Sequence, residues 1–178
     1  FIPFGLPAQK ENLQFVSVVS VWVAALLAIL LSADHLLKAD YQEGILEQWV
    51  ISPYPLSLLL LTKIICHWAL ICFPILCALP LACLFLSLPT AALPILMVSF
   101  LLGTFALTLL NALIAALLLG LSRGGILTGV LALPFYIPVM ILGSQSVYEV
   151  LSFHSPWGWV ALLGAWAMMT LILAPFAV

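Results

Sequence analysis

The side chains able to do chemistry are few and unevenly placed. Four of the six acids (Asp34, Asp40, Glu43, Glu47), one of four basic residues (Lys38) and one of three histidines (His35) crowd into residues 33–55, ADHLLKADYQEGILEQWVISPYP. The sequence on either side is nearly free of charge. An ionised side chain at mid-bilayer costs roughly 2.5–3.5 kcal/mol even on the lenient insertion scale. This charged island therefore lies in water or at a membrane surface. Chemistry elsewhere is sparse. Three histidines, His35, His67 and His154, are spread along the chain, and His154 stands near Tyr148 and Trp157 in the sequence. A lone histidine at a membrane boundary also serves simply as an amphipathic residue. Cys66, Cys72, Cys77 and Cys83 fall on one apolar run. Pairs eleven apart share a helix face but sit about 16 Å apart along the axis, too far for a disulfide or a shared metal. They read as small apolar packing residues, and no metal site is expected. Asn111 is the one amide deep in an apolar run, suited to a hydrogen bond between helices. No Walker A pattern occurs, so ATP hydrolysis by that route is excluded. No paired carboxylates or Ser-His-Asp set lies within the apolar runs, and no catalytic residue is assigned.

The elements that hold these residues follow from composition. The chain has 178 residues, 66% hydrophobic and 6% charged, against about 25% charged in a soluble domain. This is an integral membrane protein. Apolar runs of about 18–30 residues specify helices, because barrel strands would alternate over about 10. A net charge of −2 gives no footprint for nucleic acid. The runs predict five spans: 13–32, 56–88, 91–120, 126–143 and 157–178. The first carries a stripe of small residues (Ser17, Ser20, Ala24, Ala28) read as a packing face. The third is read as interrupted at Pro94 and Gly103, the fourth as kinked or broken at Pro134 and Pro138. Residues 8–12 read as a polar loop. Phe1 and Val178 are not natural ends by their surroundings, so the protein is expected to extend beyond both. The whole is one transmembrane domain.

Between the first two spans, an amphipathic helix at about 36–52 is expected outside the bilayer. Ile45, Leu46, Trp49 and Val50 share one face, Gln42, Glu43 and Glu47 another, and Pro53 and Pro55 end it. Lys63 is expected to snorkel to the headgroups. A second polar stretch, 144–156, is read as an opposite-side segment with a short interfacial helix. If the spans alternate, Lys38, Lys63 and Arg123 share a side and Lys10 alone opposes them, which puts the island in the cytoplasm and 144–156 outside. His35 and His67 then lie on one side and His154 on the other, so the three do not share a site.

The strings DYQEGILEQWVISPYP, LLLLTKIICHW and LGLSRGGILTGVLALPFYIPVMILG resemble the CcmB family, the heme exporter protein B permeases of bacterial cytochrome c maturation. The run WVAALLAILLSADHLLKADYQEGILEQ matches in order and spacing, and the likeness covers roughly residues 20–178. It centres on the acidic element Asp40, Gly44, Leu46, Glu47 and on the turn Ser122 to Gly125. The resemblance implies an ABC-2-like, all-α polytopic permease of six spans in the bacterial inner membrane. On that count five spans are visible and the first is missing or reduced to Phe1–Pro7. It implies a separate ATPase chain, CcmA, the membrane partners CcmC and CcmD, and an indirect link to the heme chaperone CcmE. Heme is then a transported or handled ligand and ATP acts through the partner; on that implication His35, His67 and His154 become candidate heme ligands, with His154 the best placed. The island becomes an ATPase-coupling helix, with Asp40, Glu43, Gly44, Leu46, Glu47 and Trp49 as contacts and Arg123 as a second contact or a topological anchor. An exposed Trp49 with Ile45 and Leu46 would supply the apolar anchor, the two glutamates the polar rim. The bland alternative is an interfacial helix resting on headgroups, which the shortage of basic residues disfavours. An ion-coupled secondary transporter would carry charges at mid-span, which these runs lack. An ABC permease for another substrate also stays open.

Overall fold

A computed structural model describes residues 5–85, 88–118 and 124–173, with backbone alone at 5–13, 33–39 and 124–126. Among them are helices and no strands: α1 (Gly5–Gln42), α2 (Ile45–Ile51), α3 (Leu56–Phe85), a 3-10 turn (Thr90–Ala92), α4 (Leu93–Leu117), α5 (Gly124–Leu151) and α6 (Trp157–Leu173). Lipid offers the backbone no hydrogen-bond partner, so each apolar run must satisfy its amides internally. Four stretches are long and apolar enough to cross a membrane, 14–32, 56–85, 90–117 and 127–151, and α6 is a shorter apolar helix. The protein is an all-α, multi-pass membrane protein.

Helix α4 is the centre. Its apolar window is 61% buried, against 17% for α3, and it packs on α1, α3, α5 and α6. Phe100, Leu107 and Leu109 on it are fully buried. The large exposed apolar side chains of α3, such as Leu70, Phe73 and Leu84, face outward, as a lipid-facing surface requires. Hydroxyls inside the bundle donate to carbonyls one turn back: Thr108 to Thr104 at 2.8 Å, Ser146 to Gly143 at 2.7 Å, Thr170 to Ala167 at 2.8 Å. Asn111 works as expected: its Oδ1 accepts the Tyr136 hydroxyl of α5 at 2.7 Å. The cysteines are free and sorted by face, Cys72 and Cys83 buried, Cys66 and Cys77 exposed.

Several boundaries differ from the sequence reading. Residues 8–12 are helical, because α1 starts at Gly5 and continues unbroken to Gln42. The helix read at 36–52 is two pieces: its first part is the end of α1, and α2 is a separate seven-residue helix after Gly44. Helix α5 runs through Pro134 and Pro138 without a break and takes in most of the stretch read as an external segment, ending at Leu151. Ser144, Ser146 and Val147 are buried in it. Pro94 sits in the first turn of α4 rather than interrupting it, where a missing N–H costs nothing.

The small-residue stripe of α1 also faces the other way. Ser20, Ala24 and Ala28 are exposed, and Ser20 and Ala24 line a shallow outward groove with Phe15, Val16, Val19, Val23 and Leu27. The buried stripe is Val18, Trp22, Ala25 and Ile29. Trp22 is fully buried against Phe100, ring centroids 4.2 Å apart. It fits because the facing helices present glycine: a Cβ at Gly103 would lie 2.5 Å from its Cη2, and one at Gly143 2.5 Å from its Cε2.

The link between α5 and α6 closes on a strained residue. The Phe153 amide donates to Val150 O at 3.2 Å and the His154 amide to Glu149 O at 2.8 Å, the two bonds of a Schellman motif. Phe153 occupies the left-handed position (φ 60) with its side chain 99% exposed. An L-residue there costs roughly 1–2 kcal/mol that glycine avoids. Phe153→Gly should therefore raise stability by about 0.5–1 kcal/mol after glycine's greater unfolded-state entropy is subtracted. A detergent-unfolding midpoint that falls in this variant would show that the ring makes a stabilising contact.

Candidate coupling site

The charged island folds where α1, α2 and α3 meet. Helix α1 stops because Gly44 takes φ 70, and the Gly44 amide donates to Tyr41 O at 3.3 Å. Nothing lies within 4 Å of a Cβ placed on Gly44, so its requirement is backbone conformation, not space. Helix α2 ends at Ser52, extended ahead of Pro53. The Ser52 hydroxyl accepts the Tyr54 amide at 3.2 Å, and Pro55 O receives the amides of Leu58 and Leu59 to start α3.

This arrangement gives the site two faces. On the inner one, Lys63 of α3 pairs with Asp40 on the last turns of α1, their side chains 27% and 13% exposed. The same ammonium lies 5.6 Å from the centroid of the Trp49 ring of α2, in cation–π range. Trp49 is not the exposed anchor expected; it is half-buried against a cluster formed by Leu60, Ile64, Leu109 and Ala112 of α3 and α4. Ile45 and Leu46 are half-buried as well. On the outer face stand Glu43 and Glu47, exposed, with Val50 and Ile51 exposed beside them. Two carboxylates around an apolar patch suit a basic, partly apolar protein surface. Of the expected contacts, the structure brings Asp40 and Trp49 together on Lys63, leaves Glu43 and Glu47 exposed, and gives Gly44 the left-handed backbone between α1 and α2. Lys63, expected at the headgroups, instead contacts both Asp40 and Trp49, which the sequence alone does not establish. The signal in the sequence is an acid and a lysine 23 residues apart, on the two helices that flank α2. Arg123 lies outside the described residues, as do the side chains of His35 and Lys38.

His67 and His154 lie apart, His67 well inside α3 and His154 on the link between α5 and α6. His67 Nε2 is 3.0 Å from Ser32 Oγ at the α1–α3 contact. His154 lies at the far end, where Phe15 near the start of α1 meets Tyr148 of α5 edge-on at 5.5 Å. It is exposed, with Nδ1 3.7 Å from Glu149 Oε2. Glu149 Oε1 also accepts Trp159 Nε1 at 3.2 Å, fastening α5 to α6. Among the described side chains, the charged ones sit near helix ends, and no three His, Cys, Asp or Glu residues gather as a metal would need. Among the described side chains, the site holds no nucleophile and base in contact.

Comparison with known proteins gives the family. The family model described as CcmB protein matches residues 1–178. The chain is 44% identical over 176 residues to heme exporter protein B of Pseudomonas aeruginosa, covering 99% of this chain and 79% of that protein. It is 38% identical to heme exporter protein B of Paracoccus denitrificans (99% and 81% covered) and 36% identical to that of Escherichia coli K12 (98% and 80%). With this match running from end to end, the chain belongs to the CcmB family.

Proposed function

We propose that the chain is the permease subunit of a heme export system in the bacterial inner membrane. A separate ATPase subunit, of the CcmA kind, drives it by docking on the outer face of α2. The observation that carries the reading is likeness along the whole chain to proteins named heme exporter protein B. The exposed carboxylates of Glu43 and Glu47, in a chain only 6% charged, give that function its point of attachment. On this reading the end with Asp40 and Lys63 is cytoplasmic and the α5–α6 turn with His154 is external. CcmC and CcmD are its membrane partners and CcmE is served indirectly. Heme is cargo, and His154 with the exposed Phe153 is the part of this chain placed to meet it.

The double substitution Glu43→Lys, Glu47→Lys should lower ATPase co-purification about tenfold or more, since reversed charges at an interface repel as well as fail to attract. The membrane level of the protein should be unchanged, because both side chains are exposed. Unaltered co-purification would sink the docking assignment. Labelling of a cysteine at position 47 by a membrane-impermeant reagent in intact cells would place this end outside and sink the orientation.

A further inference from the structure

We propose that Lys63 is the positioning residue that carries movement of α2 into the bundle, by holding Asp40 of α1 and Trp49 of α2 at once. The proposal rests on the reading of α2 as the docking helix. It starts from a weakness in the link between α1 and α2. Gly44 has no neighbour within 4 Å of a Cβ position, and α2 has seven residues, no side-chain cap and no fully buried residue. A helix that short has little stability of its own. A push on α2 would be absorbed by rotation at Gly44 unless something ties α2 to the rest.

Two contacts supply that tie, and both lead to α3. Trp49 packs on the α3–α4 cluster. The Lys63 ammonium reaches the Trp49 ring and the Asp40 carboxylate together. It thereby closes a triangle across the Gly44 joint that neither helix closes alone. The pair is half-buried, where screening is weak and a charge separated from its partner is costly, so the triangle resists opening. Beyond it the path is short. Ile64, next in sequence, is fully buried and belongs with Leu109 and Ala112 of α4, the helix on which α1, α3, α5 and α6 all pack.

The test uses the full-length protein in its complex with the ATPase, with the four native cysteines replaced. Spin labels at positions 51 and 153 report the distance between α2 and the far turn, with and without vanadate-trapped nucleotide. Lys63→Met should leave ATPase co-purification unchanged and shrink the nucleotide-dependent distance change about threefold or more. Asp40→Asn with Lys63→Met, which removes the lone buried carboxylate and so protects folding, should shrink it equally. Lys63→Arg, keeping both charge and ring contact, should restore it. A full distance change in the uncharged double variant overturns the proposal, as does loss of ATPase co-purification in that variant, which would make Lys63 part of the docking surface or the fold. Failure of the ATPase to co-purify with the unaltered protein is a failure of the docking reading itself and takes this proposal with it.

Discussion

Gly143→Ala should destabilise the bundle by about 2–3 kcal/mol, although alanine is the better helix former by about 1 kcal/mol. The reason is the indole of Trp22. A Cβ at Gly143 would stand 2.5 Å from Cε2 and 2.6 Å from Cη2, and nearer still to Cζ2. The ring cannot retreat, being fully buried and stacked on Phe100. Gly103→Ala should behave the same way for the same ring, with overlap at Cη2 and Cζ3 and a 3.4 Å contact to Val139. The internal control is on α6. Nothing lies within 4 Å of a Cβ at Gly158 or Gly164, so alanine there should be neutral or mildly stabilising. Unfolding in a denaturing-detergent titration reads all four. Equal behaviour of the α5 and α6 glycines would show that Trp22 does not occupy the notch.

Trp22→Ala should cost about 3 kcal/mol, near the lower end for an aromatic-to-alanine change. In a membrane the unfolded reference is still in apolar surroundings, so much of the water-transfer contribution disappears and lost packing dominates. Part of the loss is offset because the buried indole N–H has no partner among the described residues, a standing cost of roughly 1–3 kcal/mol. The two sites should couple strongly: with alanine at 22, Gly143→Ala should become neutral or stabilising, as an overlap with no ring to meet has no energy. Additive losses in the double variant would refute the notch.

The helical class and most spans were legible because lipid leaves an apolar run no other way to satisfy its backbone. What misled was the use of charge to mark helix ends. Charge marks where a chain leaves lipid, and α1 simply carries its helix on past Ser32 until Gly44 allows a left-handed residue. The same error shortened α5: Ser144 and Ser146 look like surface, yet their hydroxyls return to carbonyls of their own helix and they bury. The small residues Ser20, Ala24 and Ala28 of α1 lie on its exposed face and do not pack within the described chain. Where α1 does pack, the small residues lie on α4 and α5 and the large one, Trp22, on α1. Within the candidate site, Glu43 and Glu47 could be named from their spacing, and Asp40 and Gly44 from the family resemblance. The inward turn of Trp49 could not, because it depends on a cluster built from residues 60, 64, 109 and 112.

The unbroken α1 fixes a geometric gain. Trp22 is its most enclosed residue, and Gln42 lies twenty residues further on, about 30 Å along the axis. With the indole seat as fulcrum, a tilt of about 5° sweeps the Gln42 end through roughly 2.6 Å on that radius. Side-chain displacements at the seat stay well under a bond length while the island travels nearly a hydrogen bond's span, so small repacking at mid-membrane and ångström-scale excursions at the water's edge are the same motion seen at two distances.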